Sequence, residues 1–457
     1  MKNMTLAHIA EAVGGKLCEG AGLETEEIQG AVIDSRKVEK GFLFIATKGN
    51  KVDGHDFIPD VFQKGALAVV CEKAPAEGLG PYILVKDSFQ ALKDMAIFYR
   101  NQLDIKVVGI TGSVGKTSTK EFIASTLATH YQILKTEGNF NNEIGLPLTV
   151  LKIRDQVEIA VLEMGISEFG EMHRLSEIAK PDICVITNIG QCHLENLGTR
   201  DGILKAKSEI FDFMNPNGSV CLNGDDDKLA TISEVHGKKP LFFGQNSMHA
   251  VYVTDCTNHG LAGSDATIHL EGRELHVHVP LPGEHMIYNA MAATAVASLL
   301  GLSDEEICKG IASVQPVGGR SHIIQEDNVT IIDDCYNANP VSMKAAIDLL
   351  CMADTRKVAI LGDMFELGLN EAAMHEEVGS YAAYQKVDVI ICVGELSKKM
   401  YAGANQIKES RSKVYYFETK EELKTKLSTV ISRGDTILLK ASHGMHFEEL
   451  LPILAEL

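Results

Sequence analysis

A glycine-rich segment of this sequence has the composition of a phosphate-binding loop. An apolar strand predicted over residues 107–110 leads into Thr111-Gly112-Ser113-Val114-Gly115-Lys116-Thr117-Ser118, and a helix is predicted to begin at Lys116. The two glycines allow a tight turn whose consecutive N–H groups can face an anion. The lysine can reach the outer phosphates of a nucleotide, and the threonine hydroxyl after it can ligate Mg²⁺. The segment therefore predicts a nucleotide site.

The spacing departs from the strict phosphate-loop pattern at one position. Ile110 stands where the first glycine of Gly-x-x-x-x-Gly-Lys-[Ser/Thr] belongs. The alternative is a strand–turn–helix corner that uses glycine only for its turn. Strand, loop, Lys-Thr pair and helix nevertheless follow one another in the expected order, which favours nucleotide binding.

Further polar side chains follow the ends of predicted strands. Glu163 ends a strand over 158–163, and His193 comes shortly after a strand over 183–187. Because ligands of open α/β sheets bind at the carboxyl ends of the strands, both side chains are expected at one crevice. A carboxylate there suits Mg²⁺, which prefers oxygen ligands. Lys205 and Lys207 follow on a predicted helix, where lysines are normally solvated.

Bulk properties indicate a soluble multidomain protein. A length of 457 residues corresponds to about three domains. The net charge of −19 argues against binding to nucleic acid or to anionic membranes. Ten cysteines without a Cys-x-x-Cys pair favour reduced thiols over a zinc site. The N-terminus lacks the apolar core of a signal peptide and no apolar run reaches the length of a membrane span, so we expect a cytoplasmic protein without stable membrane association.

The chain is predicted to divide into three α/β parts, residues 1–84, 85–314 and 315–457. In the middle part, predicted strands alternate with helices, which indicates a mostly parallel sheet covered on both faces. Antiparallel strands are expected from about 240 to 280, followed by an alanine-rich helix over Tyr288–Leu300. Pro316 and Gly318-Gly319 mark the second boundary. The third part has predicted strands at 329–333, 357–361, 388–393 and 435–440.

The combination of these motifs resembles the Mur ligases, ATP-dependent amide-forming enzymes of peptidoglycan assembly. The resemblance covers essentially the whole chain. The segments that carry it, beside the phosphate loop, are Asp34-Ser35-Arg36, Asp53-Gly54-His55, Glu163-Met-Gly, Asn188-Ile-Gly-x-x-His193, Ala206-Lys207, Asn289-Ala-x-Ala-Ala, Gly319-Arg320 and Asp334-x-Tyr-Asn-Ala-Asn-Pro340. It implies an N-terminal UDP-substrate α/β domain, a central P-loop ATPase-like domain with a mostly parallel sheet, and a C-terminal Rossmann-like α/β domain. The C-terminal domain would bind the incoming amine and close on ATP.

Two segments favour one reaction within the family. Gly138–Pro147 and Tyr336–Pro340 resemble the member that joins D-Ala-D-Ala to UDP-N-acetylmuramoyl-tripeptide through an acyl phosphate, giving the pentapeptide. In place of Tyr336–Pro340, a tripeptide synthetase would be expected to carry a Tyr-Ala-His-Thr-Pro type segment. A folylpolyglutamate synthetase would lack the UDP-type N-terminal domain. The sequence leaves open whether lysine or diaminopimelate is the third residue of the tripeptide.

The resemblance also assigns roles to individual residues. Thr117 and Glu163 would hold one Mg²⁺, His193 would contribute to a second, and Lys207 matches a lysine that CO₂ carbamylates in many members. The residues expected to act in catalysis are Lys116, Glu163, His193, Lys207 and Arg320. Those expected to contact ATP are Gly112, Ser113, Val114, Gly115, Lys116, Thr117, Ser118, Asn289, Arg320 and Asp334. Those expected to contact the other substrates are Ser35, Arg36, Asn139, Asn142, Asn337 and Asn339. The protein is expected to act as a monomer.

A nucleotide-dependent switch is the alternative outside the family. A guanine-type Asn-Lys-x-Asp motif does occur, as Asn50-Lys51-Val52-Asp53. It precedes the phosphate loop, whereas GTP switches carry it downstream, so chance explains it better.

Overall fold

The protein consists of three successive α/β units, each built on its own sheet. The structure, a computed structural model, describes residues 1–49 and 52–456. The sheets have five, nine and six strands in these residues. The expected three-part α/β fold is thereby confirmed, while the boundaries at 84/85 and 314/315 stay predictions.

The first unit is a small mixed sheet in the order β1-β5-β4-β3-β2, in which only the β1–β5 pair is antiparallel. Val69 and Val70 of β4 face opposite sides of this sheet and belong to two separate cores. The Asn50-Lys51 pair of the guanine-type motif lies outside the described residues. The strands are β1 (Lys16–Cys18), β2 (Gly30–Val32), β3 (Phe42–Ile45), β4 (Ala68–Cys71) and β5 (Tyr82–Leu84), and the helices are α1 (Leu6–Ala12) and α2 (Ile58–Gln63).

The second unit carries the phosphate loop and has the order β14-β13-β12-β11-β10-β9-β6-β8-β7. Its strands are β6 (Lys106–Thr111), β7 (Ile133–Lys135), β8 (Ile159–Glu163), β9 (Ile183–Ile186), β10 (Ser219–Asn223), β11 (Leu241–Gly244), β12 (Val251–Asn258), β13 (Ser264–Leu270) and β14 (Arg273–Val279). Its helices are α3 (Ser88–Arg100), α4 (Lys116–Leu127), α5 (Gly145–Val150), α6 (Glu171–Ala179), α7 (Leu194–Leu197), α8 (Arg200–Ser208), α9 (Glu284–Leu299) and α10 (Asp304–Ala312).

The strand directions in this unit correct one expectation. Antiparallel pairing holds for β12 with β13 and for β13 with β14. The strand β11, which also lies in the 240–280 region, instead pairs in parallel with both of its neighbours. The parallel part of the sheet therefore extends further than the alternating residues around His276 indicated.

The central strands are buried on both faces, which explains their nearly continuous apolar sequences. All five residues of β8 are buried. Alternate residues point to opposite layers: Ala160 packs in the core beneath α3, α5 and α6, whereas Val161 packs in the core beneath α4 and α9. This double cover fixes the strand ends from which the site residues project.

The third unit is a parallel sheet with one antiparallel edge, in the order β15-β16-β20-β17-β18-β19. Its strands are β15 (His322–Gln325), β16 (Thr330–Asp333), β17 (Lys357–Gly362), β18 (Val389–Val393), β19 (Lys413–Phe417) and β20 (Thr436–Lys440). Its helices are α11 (Pro340–Cys351), α12 (Glu371–Tyr384), α13 (Ser397–Gln406), α14 (Lys420–Lys424), α15 (Leu427–Val430) and α16 (Leu451–Ala455). In the described part of the chain, no helix has both the length and the apolar character needed to cross a membrane.

Candidate active site

The loop between β6 and α4 requires both of its glycines. Gly112 has a φ of +149°, and a Cβ atom added there would lie 1.9 Å from Oγ1 of Thr187. Gly115 precedes the helix with a φ of +82°, in the left-handed region that side chains disfavour. Any other residue at position 112 would push the loop away from β9, so this turn is specified by its sequence.

Side chains that follow β9 hold the loop in place. The Val114 N–H donates to Asn188 Oδ1 at 2.9 Å, and Asn188 Nδ2 donates back to the Val114 carbonyl at 2.9 Å. Thr187 Oγ1 donates to the same carbonyl at 2.7 Å. The Lys116 ammonium folds over the loop and donates to the Gly112 carbonyl at 2.9 Å. These hydrogen bonds fix the shape of the loop, as an anion site with preset donors requires.

Glu163 is a buried carboxylate held in a fixed orientation. Its side chain is 1% exposed. Thr117 Oγ1 donates to Glu163 Oε2 at 2.8 Å, and Asn141 Nδ2 donates to Glu163 Oε1 at 2.8 Å. The ammonium of Lys120 lies 3.9 Å from Oε2, which compensates the buried negative charge. A hydroxyl and a carboxylate in contact beside a phosphate loop form an oxygen donor pair of the kind Mg²⁺ prefers.

His193 lies on the side of the site that faces the third unit, where it approaches Glu366. Its Nδ1 is 2.8 Å from Oε2 of Glu366, but the two groups do not have hydrogen-bond geometry. Burial lowers the pKa of His193, Glu366 opposes this shift, and the nearby positive charges of Lys207 and Lys116 reinforce it. The imidazole is therefore kept largely neutral, as a metal ligand must be.

The solvated position expected for the lysines of α8 is wrong for Lys207. This helix turns Lys207 inward, where the residue is 1% exposed, and leaves Lys205 on the surface. Burial, reinforced by the positive charge of Lys116, lowers the pKa of Lys207 to about 8. Among the described residues, Lys207 Nζ has no hydrogen-bond or ion-pair partner. A buried amine with so low a pKa is partly neutral and therefore nucleophilic near pH 8.

No group of three or more His, Cys, Asp and Glu side chains within residues 1–49 and 52–456 is placed to hold a metal ion. Mg²⁺ commonly takes several of its ligands from water and from substrate phosphates. The donor pair Thr117–Glu163 and the neutral His193 fit such a shared coordination.

Asn289 of α9 contacts the helix that follows the phosphate loop. Its Oδ1 accepts a 2.8 Å hydrogen bond from Thr119 Oγ1 and faces Gly115. Phe243 and Tyr288 lie on the same wall. Flat and apolar surfaces beside an amide are suited to hold a nucleotide base.

The third unit contributes a cation and a buried ion pair to the site. The guanidinium of Arg320 lies 4.1 Å from the centre of the Tyr336 ring and carries no ion pair within the described chain. Asp334 receives a 2.5 Å hydrogen bond from Lys440 Nζ, and its other oxygen accepts from the Ser321 N–H at 2.9 Å. Lys440 also donates to the Asn337 carbonyl at 3.1 Å. This network fixes the turn after β16 against the end of β20.

A cavity of about 550 Å³ joins these groups between the second and third units. The predicted residues that line it are Ser113, Val114, Gly115, Lys116, Ser118, Asn142, Glu163, His193, Asn289, Arg320, Asp334, Asn337 and Asn339. Gly112, Thr117 and Lys207 are buried behind that wall. The cavity thus brings together strand ends that are far apart in the sequence.

The residues predicted to contact the other substrates are more scattered. Ser35, Arg36 and Asn139 do not line the cavity. Arg36 pairs with Asp34 on the surface of the first unit. Three others line the cavity, but each uses its side-chain oxygen locally: Asn142 on the Ile144 and Gly145 N–H groups, Asn337 on Ala338, and Asn339 as the N-cap of α11. Their substrate contacts stay predictions.

The sequence did not single out several residues that the structure places in the site. Asn141 orients Glu163, Lys440 anchors Asp334, and Glu366 meets His193. Asn141 lies inside the Gly138–Pro147 segment and Lys440 ends the strand predicted over 435–440, but nothing in the sequence ranks either residue above its neighbours. Glu366 lies in a loop without any motif, so no local signal could have identified it.

Similarity to known proteins decides the family. Residues 27–102 match the Mur ligase family catalytic domain, residues 110–297 the Mur ligase middle domain, and residues 319–443 the Mur ligase glutamate ligase domain. The UDP-N-acetylmuramoyl-tripeptide–D-alanyl-D-alanine ligase of Bacillus subtilis is 39% identical, over 100% of this chain and 99% of that protein. The chain belongs to the Mur ligase family.

Solved structures agree with this Mur ligase in fold. The MurF structure from Acinetobacter baumannii has a TM-score of 0.90 and 33% identity, covering 99% of each chain. The MurF ligase from Thermotoga maritima, solved in complex with ADP, has a TM-score of 0.82 and 30% identity, covering 93% of this chain and 97% of that one. The Mur ligase resemblance expected from the sequence is confirmed.

Proposed function

We propose that this Mur ligase is an ATP-dependent enzyme that adds D-Ala-D-Ala to UDP-N-acetylmuramoyl-tripeptide. The name of its Bacillus subtilis relative states that the relative is a ligase of these two substrates. One structural observation carries the chemistry. A preformed phosphate loop, a rigidly oriented buried carboxylate and an arginine without an ion pair share one cavity. That combination suits the transfer of a phosphoryl group between two anions, whose mutual repulsion has to be offset.

The first step activates a carboxylate. An oxygen of the terminal carboxylate of the tripeptide attacks the γ-phosphorus of ATP, the bond to the bridging oxygen breaks, and ADP leaves. Lys116 and the loop N–H groups stabilise the charge that spreads over the phosphoryl oxygens. Arg320 supplies a guanidinium fork for phosphate oxygens from the third unit. Asp334 and Asn289 hold the ribose and the base of the nucleotide.

Magnesium ions would be held by Thr117 and Glu163 on one side and by His193 on the other. Bound there, Mg²⁺ supplies positive charge for the phosphates. Lys207 stands behind this position as a partly neutral amine. Its reaction with CO₂ would form an N–C bond, release one proton and convert a buried cation into a carboxylate-bearing side chain that supports the second metal position.

The second step forms the amide. D-Ala-D-Ala first loses a proton from its ammonium group to solvent, and the neutral amine then attacks the acyl carbon. A second proton leaves the nitrogen, the carbon–oxygen bond to phosphate breaks, and phosphate leaves with one oxygen of the original carboxylate. Water would hydrolyse the same acyl phosphate. Closure of the third unit over the cavity protects the acyl phosphate from water. This protection accounts for the placement of Arg320, Asp334 and Glu366 on a separate domain.

A coupling assay tests the proposal. Purified protein is incubated with ATP, Mg²⁺, UDP-N-acetylmuramoyl-tripeptide and D-Ala-D-Ala, and the UDP-pentapeptide is detected by mass. We expect phosphate release only when both peptide substrates are present. Release with ATP alone would indicate a nucleotide switch, and product formation with glutamate or a single diamino acid in place of the dipeptide would refute the substrate assignment.

A matched pair of lysine variants provides the control. Lys116→Ala removes the cation above the phosphate loop and should abolish turnover, because the γ-phosphoryl group loses its main counter-charge. Lys205→Ala removes an exposed lysine two positions from Lys207 and should retain turnover. Thermal unfolding of both variants verifies that they are folded. Equal turnover in Lys116→Ala and the parent protein would remove the phosphate loop from the mechanism.

A further inference from the structure

A second and smaller cavity adjoins the nucleotide cavity. Its volume is about 280 Å³, and Ser113, Lys116 and His193 line both cavities. Cys192 of the second unit also lines it, and the remaining lining residues belong to the third unit and include Tyr336, Phe365, Glu366 and His443. A group bound in the small cavity would therefore meet the reacting phosphoryl and acyl groups from the side of the third unit.

The charges around the small cavity are unbalanced. The Lys116 ammonium and the largely neutral imidazole of His193 lie on one wall, and the positive charge of the buried Lys207 is close enough to lower the pKa of His193. Glu366 is the only acidic side chain among the described residues that line this cavity. It is 61% exposed, and its contact with His193 lacks hydrogen-bond geometry. The carboxylate is therefore available to a ligand.

The loop that carries Glu366 is anchored by hydrogen bonds of the two residues that precede Glu366. The Met364 N–H donates to His375 Nε2 at 3.0 Å, and the Phe365 N–H donates to Ser442 Oγ at 2.9 Å. Glu366 itself has a φ of +61°, a left-handed conformation that costs a non-glycine residue about 1 kcal/mol. A rigid loop that presents an exposed carboxylate in this way is a preorganised site.

The chemistry of the second substrate requires such a group. An α-amine has a pKa of roughly 7.7–8.0, so D-Ala-D-Ala arrives mainly as an ammonium ion at neutral pH. Its entry beside the ammonium group of Lys116 is electrostatically unfavourable unless a carboxylate compensates. We propose that Glu366 binds the ammonium group of the incoming dipeptide. This inference rests on the proposed function and specifies its amine subsite.

Kinetics of Glu366→Gln test the assignment, with Glu195→Gln as the matched control. Glu195 is exposed and lines neither cavity, and its backbone lies beside Gly368, two residues after Glu366. With ATP and UDP-tripeptide saturating, we expect Glu366→Gln to raise the KM for D-Ala-D-Ala at least about tenfold, as loss of a charged hydrogen bond does. The KM for ATP should stay within about twofold of the parent value, and Glu195→Gln should leave both constants unchanged.

Two further readouts separate amine binding from a merely structural contact with His193. ATP labelled with ¹⁸O at the bridge between the β- and γ-phosphates should scramble its label when UDP-tripeptide is present and D-Ala-D-Ala absent, equally in the parent and in Glu366→Gln. N-acetyl-D-Ala-D-Ala lacks the ammonium group. It should inhibit the parent much more weakly than an unreactive dipeptide analogue that keeps its cation, and this difference should shrink in the variant.

Each outcome decides for or against Glu366. An unchanged KM for the dipeptide, or a loss of isotope scrambling in the variant equal to its loss of turnover, would overturn the assignment. Absence of dipeptide-dependent product in the parent protein would instead refute the proposed function. Circular dichroism and thermal unfolding verify that the variants keep the fold.

Discussion

Thr117 Oγ1 donates a 2.8 Å hydrogen bond to Glu163 Oε2, and both side chains are almost completely buried. The bond joins the first turn of the phosphate-loop helix to the end of the neighbouring strand β8. It orients a carboxylate toward the place where the outer phosphates of a nucleotide would lie. In the proposed mechanism, this pair links nucleotide binding to metal binding.

Thr117→Val keeps the shape of this residue and removes its hydroxyl. We expect the Mg²⁺ concentration for half-maximal activity to rise by roughly 10–100-fold, the usual cost of losing a group that orients or completes a metal site. Thr117→Ser retains the hydroxyl and should stay close to the parent. The measurement is a titration of turnover with Mg²⁺. Identical titration curves for Thr117→Val and Thr117→Ser would show that the hydroxyl has no part in metal binding.

Lys207 should react with CO₂, because burial lowers its pKa to about 8 and leaves a neutral fraction near neutral pH. In ¹³C-bicarbonate at pH 8, we expect a carbamate carbonyl resonance from the parent protein. The signal should be absent from Lys207→Met and present in Lys205→Met, whose substituted residue is exposed. Activity should fall in CO₂-depleted buffer and return with bicarbonate. A carbamate signal that persists in Lys207→Met would place the modification elsewhere.

Lys440→Met should weaken both the fold and nucleotide binding. It leaves the Asp334 carboxylate and the Asn337 carbonyl without their buried ammonium partner, and breaking a buried ion pair in this way costs about 3 kcal/mol or more. The KM for ATP should rise, since Asp334 lines the nucleotide cavity. Lys344→Met removes a surface pair with Glu377 and should cost less than about 1 kcal/mol. Denaturant unfolding and ATP titration measure the two effects, and equal losses in both variants would contradict the account.

His375 makes stability depend on pH. Burial lowers its pKa, and its Nε2 accepts the Met364 N–H at 3.0 Å, a bond that requires the neutral ring. Since the folded pKa lies below the unfolded value of about 6.5, the unfolded chain binds more protons and stability falls as pH drops below that value. The free energy of unfolding, compared at pH 7 and pH 5.5, should fall less in His375→Gln than in the parent. If the free energy of unfolding fell by the same amount between pH 7 and pH 5.5 in both proteins, His375 would be excluded as the cause of the pH dependence.

The sequence predicts the parts of this protein that local chemistry specifies. The phosphate loop, the strand ends at Glu163 and near His193, and four of the six strands of the third unit follow from glycine spacing and apolar runs, and the structure contains them. The edge strands β15 and β19 were not predicted. The helix predicted over Tyr288–Leu300 is observed as α9, Glu284–Leu299. These features depend on neighbours in the chain, so a single sequence suffices to find them.

Features that depend on distant partners were not predictable. The parallel pairing of β11 is set by its place between β10 and β12, not by its own residues. Likewise, nothing local distinguishes Lys207, which is buried, from Lys205, which is exposed two residues earlier. The contact of Glu366 with His193 joins the second and third units, and residues so far apart in the sequence give no local signal of it.

Isotope transfer tests the central claim most directly. UDP-N-acetylmuramoyl-tripeptide labelled with ¹⁸O in its terminal carboxylate is coupled to D-Ala-D-Ala with unlabelled ATP, and the released phosphate is analysed by mass. Activation through an acyl phosphate predicts one labelled oxygen in every phosphate formed together with product. Phosphate without label, accompanied by full product formation, would contradict the account.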